Sequence, residues 1–213
     1  HSENYFNVIY QILEEAGKVA LKYYRNSQPT FKADASILTL ADTAISKLIN
    51  ERLEPFRQSK NHLIIDEENE NTKHALDQET LEQYPYIWAI DPIAGTRLYS
   101  NQIPLYSISI GLLKDRKPWM GGVYFPSIGE LFYCDGDGAY YVFNAFTDRA
   151  QKREIKPTEL EITTRSLLFC DDAFFKYFRW DYRDCKIFIS DCATVDMCWP
   201  TIGRGIGSVF NSS

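Results

Sequence analysis

The chain has 213 residues, of which 45% are apolar and 15% aromatic, so it carries enough apolar surface for a core and intrinsic disorder is not expected. Its formal net charge is −6 and it has no run of Lys and Arg, which argues against a nucleic-acid polymer as partner. No apolar run approaches the ~20 residues of a membrane span, so we expect no membrane partner. An acidic protein that handles phosphate needs a cation, and a metal ion is the usual one.

The first residues and the cysteines bear on the compartment. His1-Ser2-Glu3-Asn4 lacks the charged-then-apolar pattern of a signal peptide. The 5 cysteines are an odd number and include no C-x-x-C pair, which favours thiols in a reducing cytosol over a disulfide or zinc framework. We therefore expect a cytoplasmic protein.

Two helices are predicted at the start of the chain. Apolar residues recur at helical spacing over residues 5–26. A second helix is predicted from about Leu40 to Phe56, with Thr39 as its N-cap.

Two short apolar runs follow, and each ends in acidic residues. His62–Ile65 precedes Asp66-Glu67-Glu68, and Tyr86–Ile90 precedes Asp91-Pro92. Both runs are typical of buried strands. The polar, acidic segment between them, residues 69–83, predicts a loop or an exposed helix.

The remaining chain predicts strands joined by turns, and one further helix. The strand candidates are residues 107–113, 119–125, 130–133, 139–143, 167–170, 186–189 and 206–210, and the helix covers about 193–202. Because helices come first and strands fill the middle of the chain, the order predicts α+β layering. We expect an N-terminal αβ half at residues 1–150 and a C-terminal αβ half at 151–213.

The segment after the second strand carries the most chemistry. The strand directs Asp91 beyond its end, and Pro92 stiffens the turn. Gly95 permits a close approach of the backbone to a ligand, and Thr96 adds a hydroxyl. The backbone carbonyl of Ile93 is a hard oxygen ligand.

Glu67 supplies a second carboxylate if the two strands are neighbours. Two carboxylates and a carbonyl form an oxygen-rich site of the kind that suits Mg²⁺. Taken singly, acidic residues at strand ends are more typical of solvated turns. The combination of both strand ends with the Pro and the Gly-Thr pair favours a site.

These residues resemble the inositol monophosphatase superfamily of Mg²⁺-dependent, Li⁺-sensitive phosphatases, which includes bisphosphate nucleotidases. The family signature, Asp-Pro-aliphatic-Asp-Gly-Thr/Ser after a strand with Trp, matches at Trp88, Asp91, Pro92, Ile93, Gly95 and Thr96. The Glu-Glu element upstream matches Glu67-Glu68, and an Asp near the start of the second helix matches Asp42. Later motifs follow the family order over nearly the whole chain.

The resemblance implies a fold, a reaction and roles for residues. The fold would be a layered αβαβ sandwich of the inositol monophosphatase/sugar phosphatase type, and many relatives form homodimers. The reaction would be hydrolysis of a small phosphomonoester by metal-activated water. The implied roles are metal ligation by Glu67, Asp91 and the Ile93 carbonyl, water activation by Thr96, phosphate binding by Gly95 and Thr96, an additional metal at Asp42, and substrate contact at Ala193 and Asp191.

Two departures from the family pattern bear on turnover. The second Asp of the signature is Ala94 here, and that Asp ligates a second metal in the family. A family Trp-Asp-x-Ala-like motif, which also ligates that metal, is absent before Ser213, so we expect the C-terminal half to be incomplete. Ala94 is explained by an engineered Asp→Ala change, by natural divergence toward binding, or by another residue that supplies the ligand.

The function expected from the sequence is therefore a phosphatase for a small, inositol phosphate-like monoester, impaired at its second metal site. A catalytically inactive binding or regulatory protein of the same fold, or a bisphosphate nucleotidase, is the alternative.

Three further residues have both a functional and a structural interpretation, and two histidines have only a structural one. Lys32 approaches the metals or is a solvated loop residue, and Arg97 pairs with a second phosphate or is solvated. Asp191 contacts substrate or is the N-cap of the last helix. His62 and His74 are interpreted as surface residues.

Overall fold

The computed structural model describes residues 2–26, 35–59, 61–69, 77–157, 159–171, 173–179 and 185–210. Two long helices open the chain, α1 at Ser2–Asn26 and α2 at Ala35–Arg57. The predicted first helix is confirmed. The second begins before the predicted Leu40, so Thr39 lies inside it and the N-cap prediction was wrong. Ala35 and Leu38 are strong helix formers, which is consistent with the earlier start.

Seven strands form one sheet in chain order. They are β1 (His62–Asp66), β2 (Tyr86–Ala94), β3 (Ser107–Lys114), β4 (Lys117–Phe125), β5 (Glu130–Cys134), β6 (Ala139–Phe143) and β7 (Gln151–Glu154). The β1–β2 pair is parallel and every later pair is antiparallel. The predicted strands are confirmed within a few residues. The sequence did not indicate β7, because its four residues are all polar and exposed.

A second, all-parallel sheet has three strands, β8 (Leu167–Cys170), β9 (Lys186–Phe188) and β10 (Gly207–Val209), in the order β10-β8-β9. Short helices complete the described chain, namely α3 (Gln78–Glu82), α4 (Thr96–Ser100), α5 (Phe174–Tyr177) and α6 (Ala193–Cys198). A 3-10 turn at Trp199–Ile202 continues α6, so the predicted helix over 193–202 is confirmed with a tighter last turn. Pro200 has no amide hydrogen to donate to a continuing α-helix.

Two apolar clusters hold these layers together. The helices α1 and α2 pack on the seven-stranded sheet, with α1 against β3 and β4 and α2 against β1 and β2. Their shared core includes Ile9, Leu13, Ile45, Ile49, Trp88 and Ile108. A second cluster joins this sheet to β8 and α6 and includes Ala94, Leu98, Phe125, Phe132, Phe169 and Val195. The fold is therefore layered α+β, as predicted.

A buried ion pair also connects the two sheets. Glu130 of β5 has a side chain that is only 4% exposed. Arg204, just before β10, donates to Glu130 Oε2 from Nη1 at 2.8 Å, and Tyr141 donates to Oε1 at 3.0 Å. The arginine also lies over the Trp199 ring. Because a buried carboxylate without partners is costly, this contact fixes the segment before β10 against the larger sheet.

His62 is buried, and its interpretation as a surface residue was wrong. Its ring stacks on Tyr86 with centroids 4.7 Å apart, and Trp88 Nε1 donates to His62 Nδ1 at 3.1 Å. Burial lowers the pKa of His62, so the neutral ring is favoured. His74 and Lys32 lie outside the described residues.

The structure also bears on the membrane and redox expectations. In the described parts of the chain, no helix combines the length and apolar character needed to span a bilayer. The described residues include all the cysteines, and these form no disulfide.

Candidate functional site

Glu67 and Asp91 converge because β1 and β2 are parallel neighbours. Asp66 is in register with Ile90, and the amide of Glu67 donates to the Ile90 carbonyl at 3.2 Å. This pairing places Glu67, just after β1, beside Asp91 in β2, close enough for the Glu67 carboxyl group to raise the pKa of Asp91. The sequence prediction that the two strand ends meet is confirmed.

Negative charge is concentrated at these strand ends. Burial raises the pKa of Asp91, and the charge and hydrogen bond of Glu67 raise it further. Asp42, on α2, is 6% exposed. Burial raises the pKa of Asp42 to about 8, with contributions from Glu68 and Asp91. Both shifts mean that these carboxylates are costly to ionise together, which a bound cation would relieve.

Asp66 supports this arrangement from inside the protein. It is fully buried at the end of β1. Two α2 side chains donate to its Oδ2, Ser46 at 2.5 Å and Asn50 at 2.6 Å, and the amide of Glu68 donates to its Oδ1 at 3.0 Å. These bonds fix the turn that carries Glu67 and Glu68. The sequence analysis grouped Asp66 with the site acids and missed this positioning function. Ser46 and Asn50, at i and i+4 on one helix face, form the sequence pattern that could have indicated it.

The sequence predicted that the signature segment leaves the sheet at Asp91. In the structure this segment instead continues β2. The register with β3 shifts between Asp91 and Ala94, so a bulge contains Pro92 and Ile93. The bulge removes Ile93 from the regular pairing, and the Ile93 backbone partly offsets the rise in the pKa of Asp91. The expected ligand at this residue, its carbonyl, thus lies in an irregular part of the strand.

Gly95 turns the chain from β2 into α4. Its φ of +80° belongs to the left-handed region, which other residues adopt at a cost. A Cβ at this position would lie 3.0 Å from Cys192 Sγ. The left-handed conformation therefore favours glycine, and a Cβ there would make Cys192, the N-cap of α6, shift slightly. Thr96 follows as the exposed first residue of α4.

Ala94 lies in an apolar environment. It is 8% exposed and belongs to the cluster that includes Leu98 and Cys192. Its partner across the sheet is Ser107, whose hydroxyl is 2.7 Å from that of Thr194 in α6. Residue 94 itself therefore supplies no charged side chain where the family signature has its second Asp.

The loop before α6 holds the remaining predicted residues. Ala193 is exposed at the start of α6. Asp191 is not the N-cap, which is Cys192, so that interpretation was wrong. Asp191 instead accepts two hydrogen bonds from Arg97, one from Nε at 2.8 Å and one from Nη2. The solvated interpretation of Arg97 agrees with its side chain, which is 72% exposed, and the structure adds the ion pair with Asp191.

The donors at the strand ends fit one Mg²⁺ ion better than two. Among the described residues, no three His, Cys, Asp or Glu side chains are grouped so as to hold a metal by themselves. The carboxylates of Glu67 and Asp91 are crowded together, and Asp42 lies close enough for their charge to raise its pKa. Mg²⁺ in proteins is commonly held by one or two carboxylates while it keeps several waters. The arrangement meets that requirement and lacks a carboxylate at residue 94.

An apolar cleft of about 610 Å³ adjoins the acidic residues. It runs from Asp91 along β2–β5 to α6, and its walls include Ala89, Gly111, Gly121 and Met197. Because its walls are largely apolar, the cleft suits the non-phosphate part of a ligand better than a phosphate group.

Comparison with known proteins places the chain in a family. The sequence profile of the inositol monophosphatase family matches residues 1–206. The chain is 29% identical over 134 residues to the 3'(2'),5'-bisphosphate nucleotidase CysQ of Aggregatibacter actinomycetemcomitans, an alignment that covers 62% of this chain and 48% of that protein. It is 28% identical over 207 residues to inositol monophosphatase 1 of Solanum lycopersicum, which covers 95% of this chain and 73% of the relative.

A solved structure shows the same fold. Mycobacterium tuberculosis SuhB superposes with a TM-score of 0.73 at 17% identity, over 99% of this chain and 78% of that one. The chain thus spans only about half of the first relative, and 73% and 78% of the other two. The profile match along nearly the whole sequence shows that the chain belongs to the inositol monophosphatase family.

Proposed function

We propose that the protein is a Mg²⁺-dependent phosphatase that hydrolyses a small phosphomonoester. The observation that carries the proposal is the convergence of the Glu67 and Asp91 carboxylates at the ends of two parallel strands, directly before the Gly95 turn. Family membership supports it, since relatives carry the names of inositol monophosphatases, a bisphosphate nucleotidase and a histidinol-phosphatase.

In this proposal Glu67, Asp91 and the Ile93 carbonyl hold the metal, and Asp42 assists. Bound Mg²⁺ would lower the pKa of a coordinated water and neutralise phosphate charge. The Thr96 hydroxyl orients the attacking water, and the amides of Gly95 and Thr96 bind the phosphate oxygens. Ala193, opposite the Gly95 turn, contacts the remainder of the substrate. Residues 1–150 carry the metal-site motifs, and residues 151–213 contribute the substrate contacts of the second αβ half.

We further propose that Ala94 limits the rate. In two-metal phosphoryl transfer, ions ~3.5–4 Å apart stabilise both the attacking and the leaving oxygens. Ala94 supplies no ligand for a second ion, so the leaving oxygen depends on one ion and on backbone donors. Metal charge stabilisation is worth several kcal/mol, so an added carboxylate raises the rate on the order of 100-fold.

Phosphate release tests this function directly. The 213-residue chain, Ala94→Asp and Asp91→Asn are assayed with Mg²⁺ on inositol monophosphates, sugar phosphates and adenosine bisphosphates. We expect slow release by the unmodified chain, faster release by Ala94→Asp and none by Asp91→Asn. Equal rates for Asp91→Asn and the unmodified chain would exclude the assigned site. If neither the unmodified chain nor Ala94→Asp releases phosphate, a binding protein replaces the enzyme as the conclusion.

A further inference from the structure

The Arg97–Asp191 ion pair joins two segments that are distant in sequence. Arg97 donates from Nε to one carboxylate oxygen at 2.8 Å and from Nη2 to the other. This two-point geometry is the one by which a guanidinium recognises carboxylates and phosphates. In this structure the guanidinium of Arg97 therefore binds the Asp191 carboxylate in the geometry that a phosphate group would use.

The pair lies beside the proposed phosphate turn. Arg97 directly follows Thr96, and Asp191 directly precedes Cys192, whose Sγ packs against Gly95. The exposed residues Thr96 and Ala193 flank the same contact, one from each segment. A second phosphate on a substrate held at Gly95 and Thr96 can therefore approach Arg97 and Asp191.

Two features show that this contact contributes little to the fold. The side chain of Arg97 is 72% exposed, and solvent-exposed ion pairs add little stability. Asp191 has a φ of +61°, in the left-handed region that non-glycine residues seldom adopt. An incoming anion therefore competes with a carboxylate that is held by a weak contact on a strained loop.

Charge favours a second phosphate as that anion. Asp42, Glu67, Glu68 and Asp91 repel a negatively charged substrate wherever no cation faces it. A dianionic phosphate forms stronger charge-assisted hydrogen bonds with a guanidinium than a neutral hydroxyl does.

We propose that Arg97 is a specificity-determining residue that binds a second phosphate group of the substrate, in place of Asp191. The inference rests on the proposed phosphatase function and narrows its substrates to small molecules with two phosphates. Asp191 occupies the fork in the absence of substrate and excludes weaker ligands.

Matched compounds test the proposal. Three pairs share one monoester and differ by one phosphate: adenosine 3',5'-bisphosphate and adenosine 3'-monophosphate, inositol 1,4-bisphosphate and inositol 1-phosphate, and fructose 1,6-bisphosphate and fructose 1-phosphate. KM and kcat are measured with Mg²⁺, and affinity is measured by calorimetry with Ca²⁺ as a non-activating substitute. The variants are Arg97→Gln, Arg97→Lys and Asp191→Asn.

We expect the unmodified chain to bind at least one bisphosphate about 10-fold more tightly than its monophosphate, as one added charge-assisted contact predicts. Arg97→Gln should abolish that ratio by raising KM for the bisphosphate, with kcat for the monophosphate unchanged. Arg97→Lys should restore part of the ratio, because it keeps the charge without the fork. Asp191→Asn should increase bisphosphate affinity severalfold, since Asn tolerates the left-handed conformation and removes the competing charge.

The outcomes separate this inference from the proposed function. If monophosphates are hydrolysed and the ratio is the same in Arg97→Gln, the inference is wrong and the phosphatase function stands. If Asp191→Asn weakens bisphosphate binding as much as Arg97→Gln, the pair is a structural contact. If no compound binds or reacts, the proposed function fails and the inference fails with it.

Discussion

Glu67 lies beside Asp91 because its own amide donates to the carbonyl of the residue before Asp91, at 3.2 Å. The backbone bonds of a parallel strand pair thereby hold the two residues side by side, independently of their side-chain rotamers. The charge of Glu67 beside Asp91 contributes to the raised pKa of Asp91. The fold thus keeps the two residues adjacent at neighbouring strand ends.

Asp42→Asn should stabilise the metal-free protein at high pH. The folded-state pKa of Asp42 is raised from 3.8 to about 8, so the folded chain binds this proton more tightly than the unfolded chain does. Its contribution to stability is therefore largest at low pH and is lost as the pH rises from about 4 to about 8. In EDTA we expect Asp42→Asn to raise Tm at pH 8 and to raise it less at pH 5.

Thermal denaturation at the two pH values checks this prediction. Asp137→Asn, in an exposed turn, is the matched control and should leave Tm unchanged. A lower Tm for Asp42→Asn at pH 8 would show that the carboxylate is stabilised by partners instead of being crowded by like charges.

Ala94→Asp should make stability depend on Mg²⁺. The residue is packed among apolar side chains, so a carboxylate there is desolvated and should cost about 1–3 kcal/mol in EDTA. Mg²⁺ held near Asp91 would pair with the new charge and restore that loss. Urea denaturation with and without Mg²⁺ measures the difference, and Ala94→Asn should lose stability without recovery. Equal Mg²⁺ effects on the two variants would place the metal elsewhere.

Removal of Arg204 should destabilise the protein more than removal of an exposed arginine. Arg204→Ala leaves Glu130 buried beside only the Tyr141 hydroxyl, which we expect to cost about 2–4 kcal/mol. Arg52 makes a comparable two-point pair with Glu15 on the surface, so Arg52→Ala should cost less than about 1 kcal/mol. Equal unfolding free energies for the two variants in urea would contradict the assignment of Arg204 as a buried connection.

His62 should make stability fall on mild acidification. Burial lowers its pKa below 6.5, so the unfolded chain takes up this proton first as the pH falls. The contribution of neutral His62 is therefore present above pH 6.5 and is lost as the pH falls toward the lowered pKa. His62→Gln keeps an acceptor for Trp88 but does not titrate. The Tm difference between the unmodified chain and this variant should shrink from pH 7 to pH 5. A constant difference would show that titration of His62 does not change the stability.

The elements that the sequence predicted well are those whose burial pattern is local. Period-two alternation or continuous apolar runs marked β3 to β6, and the acidic ends of β1 and β2 indicated that two carboxylates meet. The short strand β7 has no buried residue, so it has no such pattern, and only pairing with β6 defines it.

Contacts between distant segments were the part that the sequence did not predict. Arg97 and Asp191 are 94 residues apart, and neither has a neighbour that indicates the other. His62 was interpreted as a surface residue because no nucleophile lies near it in the sequence, yet the aromatic side chains of Tyr5, Phe56 and Tyr86 enclose it. Asp66 likewise acts through α2, which the strand pattern alone does not reveal.

The most direct test of the account is a calorimetric titration of the metal-free 213-residue chain with Mg²⁺ at pH 8. We predict one binding site in the unmodified chain, its loss in Asp91→Asn, and its retention in Asp191→Asn, which changes a carboxylate outside the Glu67–Asp91 pair. The assignment of these strand ends as the metal site would be contradicted if the unmodified chain did not bind Mg²⁺. It would also be contradicted if Asp91→Asn bound Mg²⁺ as tightly as the unmodified chain does.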